Sequence, residues 1–375
     1  MKKIKKIRLK SKYVILLKFF LFIFCLFLGV LIFYFKQIHD LEKLGYSKKA
    51  SNNILFSFNK DYVVSIGSNK TLNRAFEDDN YCADYLDNYS KINYVSQPNL
   101  IKNINKLLKI GYSNNDINII LSHGNDESVS KFAEREKIKY LEEFFSVSYA
   151  KLDNYDRYVT YSDNTGEDEK ITVLLVNLDL DKDDYTDANA VNKFSYDMLV
   201  NKHNSLDSTF VPDDLVSIPS VYASEENFQC NKVALEAFKK MYNAALNDGF
   251  QLIINSAYRS YDDQVELNDY YLKEYGQNYV NKYVAFPGYS EHQTGLAFDV
   301  GSRNSNVFAS SKEYGWMQEN AYKYGFIYRF TKKDEFITGF RNEPWHYRYV
   351  GCDIATYIHD NDISFEEYYA MFLDK

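Results

Sequence analysis

The chain has 375 residues, a formal net charge of −8 and 46% apolar residues, so it is long enough for two folded domains besides a membrane segment. Residues 1–12 hold seven of the 44 basic side chains and no acid, which leaves 37 basic against 52 acidic side chains in the remainder. A body with that negative balance repels phosphates, so we expect no nucleic-acid partner. The cysteines have no C-x-x-C spacing and indicate neither a disulfide framework nor a thiolate metal site.

An apolar stretch follows the basic tail of residues 1–12 and runs from Tyr13 to Phe35, interrupted only by Lys18. Its length suits a membrane-spanning helix, which needs about 20 mostly apolar residues. The basic flank favours a cytoplasmic N-terminus and places the bulk of the chain outside the cell membrane. A cleavable signal peptide is the alternative, but its apolar region would be shorter and end in small residues. We therefore predict an uncleaved single-pass anchor over residues 13–35.

Residues 36–195 are predicted to form an extracellular, mostly helical spacer or accessory region. The segments K-L-G-Y-S at 43–47 and K-I-G-Y-S at 109–113 resemble each other, and in both the glycine is expected to end one helix while the serine N-caps the next. The region either lifts the rest of the chain off the membrane or recognises a wall polymer or a partner. Further predictions are a helix at Phe132–Phe145 and strands at Tyr62–Ile66 and Thr172–Leu178.

Residues 196–375 are predicted to form a second domain of the α+β class, with a small, mostly antiparallel sheet flanked by helices. Hydrophobic periodicity and capping signals predict its elements. The predicted helices are Asn231–Leu246, a helix from the capping box at Ser260 to Tyr275, and Ser311–Lys323; the predicted strands are Phe250–Ile254, Leu296–Val300, Phe326–Phe330 and Trp345–Val350.

Two motifs in this domain combine the residue types of a catalytic zinc site. The first, S-E-H-Q-T-G-L-A-F-D at 290–299, contains His292 and Asp299, and the second, E-P-W-H at 343–346, contains Glu343 and His346. Two imidazoles and a carboxylate can hold zinc with one position left for water, and the remaining glutamate can act as a base. Strand alternation turns Asp299 away from the apolar face formed by its neighbours. We expect the ligands to lie on strands.

The order of these motifs resembles a known family. With S-A-Y-R-S at 256–260 and Gln264 upstream, they are similar to the VanY-type D-alanyl-D-alanine carboxypeptidases of the LAS group of zinc peptidases. The resemblance covers about residues 196–361 and does not extend to 36–195. It implies a LAS peptidase-like fold, zinc bound by the side chains of His292, Asp299 and His346, Glu343 as the general base, and Arg259 as a contact of the substrate and the transition state.

Together with the predicted anchor, the resemblance implies a membrane-anchored zinc carboxypeptidase that removes the terminal D-alanine from peptidoglycan stem peptides. Ser290, Gln264 and Tyr258 are candidate substrate contacts, with loop packing and helix capping as the alternative roles for these side chains. An L,D-carboxypeptidase and a peptidoglycan endopeptidase are enzymatic alternatives, because the residues alone do not decide the stereochemistry of the bond. A catalytically inactive wall-binding protein is a further alternative, but a protein that only binds needs no base such as Glu343.

Overall fold

The computed structural model of the chain describes residues 11–57, 59–138, 141–186 and 188–374. Its contacts divide the chain into two compact units. The first ends at Phe145 and also includes Lys151–Asp153, and the second comprises Ser146–Ala150 and the chain from Asn154 onward. The predicted domain boundary at 195/196 marks the start of the segment that carries the motifs. It remains a prediction.

The regular secondary structure in the described residues of the first unit is helical. Its first helix, α1, contains the predicted anchor, and Tyr13–Lys43 is the one described helix whose length and apolar composition would allow it to cross a bilayer. Such a helix is consistent with a membrane anchor or a signal sequence. The helices of this unit are α1 (Ser11–Lys43), α2 (Lys48–Phe56), α3 (Lys60–Ile66), α4 (Lys70–Glu77), α5 (Leu86–Lys91), α6 (Leu100–Ile110), α7 (Asn114–His123), α8 (Asp126–Phe132) and α9 (Leu141–Phe145).

The two Gly-Tyr-Ser segments have the predicted capping roles. Gly45 and Gly111 have φ angles of +101° and +100°, a conformation that glycine adopts without steric cost. The hydroxyls of Ser47 and Ser113 accept backbone N–H groups at the starts of α2 and α7. Hydrogen bonds of side chains also join residues that are 26 or 27 positions apart, such as Ser47 with Asn73 and Asn103 with Ser130. As a result, α2 lies against α4 and α6 lies against α8.

Three predictions outside the motif-bearing segment are wrong in type or extent. Thr172–Leu178 is not a strand, because α11 (Glu169–Asn177) is a buried helix that begins at the N-cap Asp168. An apolar run of this length does not distinguish a buried helix from a buried strand. Tyr62–Ile66 belongs to α3, where only Val63 is buried. Phe132–Phe145 is not one helix, since α8 ends at Phe132 and α9 begins at Leu141.

The second unit contains a four-stranded antiparallel sheet flanked by helices, which confirms the predicted α+β class. The strands occur in the order β5-β6-β8-β7. The elements of this unit are α10 (Tyr155–Thr165), α11, β1 (Asn189–Ala190), β2 (Asn204–Ser205), β3 (Leu215–Ser217), β4 (Gln229–Asn231), α12 (Lys232–Asn247), β5 (Leu252–Ser256), α13 (Tyr261–Tyr275), α14 (Gln277–Tyr283), β6 (Ala297–Ser302), α15 (Lys312–Asn320), β7 (Phe326–Tyr328), α16 (Glu335–Thr338), β8 (His346–Tyr349), α17 (Cys352–Asn361) and α18 (Phe365–Phe372).

The core of the second unit lies between the sheet and α12. Phe238 of α12 contacts Phe298 of β6 edge-to-face, with ring centroids 5.7 Å apart, and both side chains are fully buried. Burying such a side chain stabilises the fold by roughly 1.5–3 kcal/mol relative to leaving it exposed. Because side chains alternate along β6, the packing of Phe298 towards α12 turns Asp299 to the opposite face of the sheet.

Candidate active site

The opposite face of the sheet borders a cavity of about 280 Å³ that collects most of the predicted site residues. The residues that line it include His292, Asp299, His346, Glu343, Arg259, Gln264 and Ser290. Tyr258 does not line this cavity, although it precedes Arg259 in the chain. Aromatic side chains form much of the remaining wall, among them Trp345 next to His346 and Tyr271, Tyr279 and Tyr283 from α13 and α14.

Three local structures bring the predicted ligands together. Asp299 and His346 are directly opposite each other on β6 and β8, so their side chains start from neighbouring positions on one face of the sheet. His292 lies in a short 3₁₀ turn, Glu291–Thr294, that ends at Gly295 with φ +68°. The expectation that all ligands lie on strands is therefore wrong for His292, whose segment turns tightly before β6 begins.

One donor atom from each predicted ligand converges on a common point. Oδ1 of Asp299 lies 3.4 Å from Nε2 of His292 and 3.4 Å from Nδ1 of His346, and the candidate ligand atoms all lie within 4.8 Å of one another. Two ligands about 2.1 Å from a tetrahedral zinc ion are about 3.4 Å apart. His292, Asp299 and His346 therefore form a candidate metal site whose spacing suits an ion of that size.

The remaining ring nitrogens of both histidines contact oxygen atoms. Nδ1 of His292 lies 2.6 Å from the carbonyl oxygen of Ala257, and Nε2 of His346 lies 3.1 Å from Oε2 of Glu291. Donation of these N–H groups fixes the ring orientations and presents Nε2 of His292 and Nδ1 of His346 to the shared point, as expected for metal-ligating imidazoles.

Asp299 provides an independent test of whether the site suits a cation. Its Oδ1 atom is buried and forms no hydrogen bond of normal geometry to the described part of the chain. Both imidazole nitrogens at 3.4 Å lie beyond a normal hydrogen-bond distance. A buried carboxylate oxygen without a partner is costly, whereas a cation at the shared point would satisfy it. The donor set and its orientation therefore fit a metal ion.

The electrostatics of the metal-free site centre on His346. Burial disfavours its charged form, but the neighbouring carboxylates of Asp299 and Glu291 outweigh this and raise the pKa of His346 to about 9. Burial lowers the pKa of His292. Burial disfavours the carboxylate of Asp299, yet the two histidines lower its pKa. Without a bound metal, the charged form of His346 is therefore favoured at neutral pH.

Glu343 lies beside the candidate metal site without being one of its ligands. Its Oε2 atom is 3.7 Å from Nδ1 of His346. A tight turn fixes the residue, because the amide of Glu343 donates to the carbonyl of Phe330 and the amide of His346 donates to the carbonyl of Glu343. Burial raises the pKa of Glu343 to about 7. A carboxylate with such a pKa is suited to accept a proton near neutral pH.

Arg259 occupies the other side of the cavity and is held there by Gln264. Nη1 of Arg259 donates to Oε1 of Gln264 at 2.7 Å and Nη2 donates to Oγ of Ser256 at 3.2 Å. Nε2 of Gln264 donates to the carbonyl of Ala285. Within the described part of the chain, the guanidinium of Arg259 donates hydrogen bonds to neutral groups, so its charge is available to an anionic ligand. Gln264 therefore supports Arg259, in addition to lining the cavity.

The remaining candidate substrate contact has a visible structural role. Oγ of Ser290 accepts the backbone N–H of His292 at 3.3 Å and caps the 3₁₀ turn. This is the capping alternative stated for it from the sequence.

Sequence reasoning missed Glu291, which contacts one of the ligands directly. Its carboxylate is buried and accepts hydrogen bonds from Arg329, Arg348 and His346. The only signal in the sequence was an acidic residue immediately before His292, and the partners that give it a role lie 38 to 57 positions away.

The site combines two imidazoles and a carboxylate with a second, buried carboxylate, and it lies at a small antiparallel sheet. This combination is typical of the class of metal-dependent hydrolases. A family model described as VanY, D-alanyl-D-alanine carboxypeptidase, matches residues 227–352. A D-alanyl-D-alanine carboxypeptidase from Enterococcus faecium is 33% identical over 244 residues, which cover 60% of this chain and 71% of that protein. The chain therefore belongs to the VanY family of D-alanyl-D-alanine carboxypeptidases.

Two further relatives show how far the similarity extends. The putative carboxypeptidase YodJ of Bacillus subtilis (strain 168) is 45% identical over 180 residues, and the match spans 46% of this chain and 66% of YodJ. The solved structure of the LdcB LD-carboxypeptidase is 41% identical, with a TM-score of 0.45, and the match covers 49% of this chain and 90% of that one.

Proposed function

We propose that the chain is a zinc-dependent carboxypeptidase that removes the C-terminal D-alanine from peptidoglycan stem peptides outside the cell membrane. The observation that carries this proposal is the convergence of three donor atoms on one point, one of which, Oδ1 of Asp299, is buried without a hydrogen-bond partner in the described part of the chain. Glu343 and Arg259 lie in the same cavity and supply a base and a cation.

Zinc is proposed because the donor set contains two imidazoles and one carboxylate, which is typical of catalytic zinc sites. A zinc ion bound there would lower the pKa of water towards about 7 and polarise the scissile carbonyl. Three protein ligands leave a position of the usual tetrahedron for the reaction. Softer thiolate ligands are absent from the described residues around the cavity.

Glu343 is proposed as the general base. Its raised pKa allows its carboxylate to accept the proton of the attacking water and to pass that proton to the amine of the leaving D-alanine. The turn between Phe330 and His346 holds the carboxylate in place before the substrate binds. Its position beside the ligands, at 3.7 Å from His346, lets it reach a water at the site without occupying the ligand position.

Arg259 is proposed to bind the substrate. Its guanidinium is a planar fork of donors that matches a carboxylate, and Gln264 and Ser256 hold it in place at the wall of the cavity. It can accept the terminal carboxylate of the stem peptide or the developing oxyanion at the scissile carbonyl. A requirement for the terminal carboxylate would make the enzyme a carboxypeptidase, because peptides without it would leave the fork unpaired.

An L,D-carboxypeptidase is the second candidate, because the LdcB LD-carboxypeptidase is 41% identical over nearly half of the chain. The D,D assignment rests on the family and on the relative from Enterococcus faecium. Both reactions use the same metal, base and cation, and they differ in the configuration of the residue before the cleaved bond.

The proposed location follows from the N-terminal segment. We propose that Tyr13–Phe35 within α1 anchors the chain, with the basic tail of residues 1–12 in the cytoplasm and the second unit outside. Residues 36–195 are proposed as a spacer or accessory region and residues 196–375 as the carboxypeptidase domain.

The proposed activity is tested with the full-length chain in detergent. A free pentapeptide ending in D-alanyl-D-alanine is incubated with the protein, and the product is identified by mass spectrometry. We expect release of one D-alanine, loss of this activity after chelation, and recovery with one equivalent of zinc. Absence of cleavage by a zinc-loaded, folded protein on pentapeptide and tetrapeptide alike would reject the proposed function.

A further inference from the structure

Four charged side chains form a buried cluster that contacts His346 through Glu291, which also lines the cavity. The cluster consists of Glu291, Arg329, Arg348 and Glu366, and each of these side chains is at most 2% exposed. Two positive and two negative charges balance one another. Buried charges are costly unless they are paired and hydrogen-bonded, so the positions of these side chains depend strongly on one another.

Glu366 connects this cluster to the C-terminal helix α18. Its carboxylate accepts two hydrogen bonds from Arg329, at 2.9 Å from Nη1 and 2.6 Å from Nη2. This bidentate pair uses the end of the guanidinium fork. Only Nε of Arg329 then points to Glu291, donating to its Oε1 atom at 2.9 Å.

The way in which Arg329 distributes its N–H donors between Glu366 and Glu291 determines which oxygen of Glu291 is free to accept from His346. Oε1 of Glu291 accepts from Nε of Arg329 and from Nη1 of Arg348. Its Oε2 atom is thereby left to accept Nε2–H of His346 at 3.1 Å. If Glu366 were absent, the vacated fork of Arg329 could bind both oxygens of Glu291, because a guanidinium pairs best with a carboxylate in bidentate geometry. Glu291 would then be drawn away from His346.

We propose that Glu366 is a positioning residue for the metal site: by occupying the fork of Arg329, it keeps Oε2 of Glu291 on Nε2 of His346 and so lets α18 set the orientation of a ligand. This inference rests on the proposed function of His346 as a metal ligand. Loss of an outer contact to a ligating histidine typically lowers metal affinity 10- to 100-fold, and this is the effect expected here.

The test measures zinc affinity of the full-length chain in detergent by competition with a chelator, without any assay of activity. Glu366→Gln is expected to weaken zinc binding by at least about 10-fold, because an amide cannot hold both ends of the Arg329 fork. Cobalt(II) serves as a second probe, and its visible spectrum should change in Glu366→Gln, since His346 is then held differently. Unchanged zinc affinity and spectrum in this variant would overturn the inference.

Glu367→Gln is the matched control. Glu367 is the next residue on α18, where its carboxylate caps the helix through Ser364 and pairs with Lys170, but it does not contact Arg329. Its replacement loosens the start of α18 and is expected to leave zinc affinity within about twofold. An equal loss of affinity in both variants would mean that α18 acts through its general stability alone, and the inference would fail.

The double variant Arg329→Met/Glu366→Gln separates positioning from simple loss of contacts. Removing Arg329 also removes the group that captures Glu291, while Arg348 still pairs with its Oε1 atom. The double variant is therefore expected to bind zinc more tightly than Glu366→Gln alone. Equal or weaker binding would contradict the inference. If Glu366→Gln does not fold, Glu366→Asp provides the same comparison, because its shorter side chain keeps the charge but cannot reach both nitrogens.

The two proposals fail in different ways. Wild-type protein that binds no stoichiometric zinc would reject the metal site itself. Wild-type protein that binds zinc, with the Glu366 variants indistinguishable from it, would reject only the positioning role of Glu366.

Discussion

Glu343 and His346 face each other across 3.7 Å, from Oε2 of the carboxylate to Nδ1 of the imidazole. They are three residues apart in the chain, and the amide of His346 donates to the carbonyl of Glu343. The turn between them thus places a proposed base and a proposed ligand side by side. Burial raises the pKa of the base to about 7, which places its proton transfer near neutral pH.

Replacing Glu343 by glutamine is expected to keep the metal and remove the activity. The amide has the shape of the carboxylate but cannot accept the proton of water, and loss of a general base typically costs roughly 10²- to 10⁴-fold in rate. Zinc content and kcat on a pentapeptide are measured on the same preparation. Glu319→Gln, an exposed residue of α15, is the control and should match wild type. A kcat near that of wild type in metal-loaded Glu343→Gln would assign the base to another group.

The full-length chain is expected to bind one zinc ion, and the His292→Ala/His346→Ala variant none. Two of the three converging donor atoms are lost in this variant, and Asp299 alone is a weak ligand. Metal analysis after dialysis against a mild chelator makes the comparison. His203→Ala/His359→Ala removes two histidines that do not line the cavity and should leave the stoichiometry at one. Stoichiometric zinc in the His292/His346 variant would place the metal elsewhere.

Zinc affinity is expected to rise with pH through the window in which His346 loses its proton. In the metal-free site the pKa of His346 is raised to about 9, while the pKa values of His292 and Asp299 are lowered. Only His346 must therefore be deprotonated when zinc binds above pH 7. Because metal binding displaces that proton, His346 should contribute an increase in apparent affinity of about tenfold per pH unit from about 7.5 to 9, and this contribution should level off above.

Calorimetry in buffers of different ionisation enthalpy checks this directly, with release of about one proton per zinc expected from His346 at pH 8, in addition to any proton released by zinc-bound water. Zinc binding without proton release at that pH would show that His346 is already neutral in the metal-free protein.

Local patterns in the sequence were sufficient for the architecture around the motifs. The three helices and four strands predicted between residues 231 and 350 are present, and the capping box at Ser260 lies at the start of α13, whereas α14, α16, α17 and α18 were not predicted. Thr172–Leu178 shows where such patterns fail. Its side chains are nearly all buried, and a fully buried segment carries no alternation that separates helix from strand.

Some residues of the candidate site were predictable from the sequence and others were not. His292, Asp299, Glu343 and His346 stand in compact motifs, and the structure places all four at one cavity. Glu291 is different, because its role depends on Arg329 from the loop after β7, Arg348 from β8 and Glu366 from α18. Gln264 is a candidate substrate contact from the sequence, and the structure adds a hydrogen bond from Arg259 to its side-chain oxygen that the sequence does not indicate. Contacts between residues that are far apart in the chain depend on the tertiary structure, so local patterns in a single sequence do not predict them.

Protease added to intact protoplasts is expected to remove the second unit while the N-terminal tail stays protected. The seven basic residues before Tyr13 favour a cytoplasmic tail, and the bulky residues at the end of the apolar stretch disfavour cleavage by a signal peptidase. Antibodies against each end of the chain give the measurement, with lysed protoplasts as the control in which both ends are digested. A mature protein in the medium that starts near residue 35 or later would identify the segment as a signal peptide.

Amidation of the terminal carboxylate of the substrate is expected to abolish cleavage if Arg259 reads that end of the peptide. The amide removes the charge that pairs with the guanidinium, and a lost charge-assisted hydrogen bond costs on the order of 1.5–3 kcal/mol, or roughly 10- to 150-fold in kcat/KM. A pentapeptide, its C-terminal amide and a tetrapeptide are compared by mass spectrometry. In Arg259→Gln the difference between acid and amide should shrink to about twofold, whereas a contact of Arg259 with the oxyanion would lower kcat for both. Equal cleavage of acid and amide by the wild type would favour an endopeptidase, and cleavage of the tetrapeptide alone would move the specificity to the L,D bond.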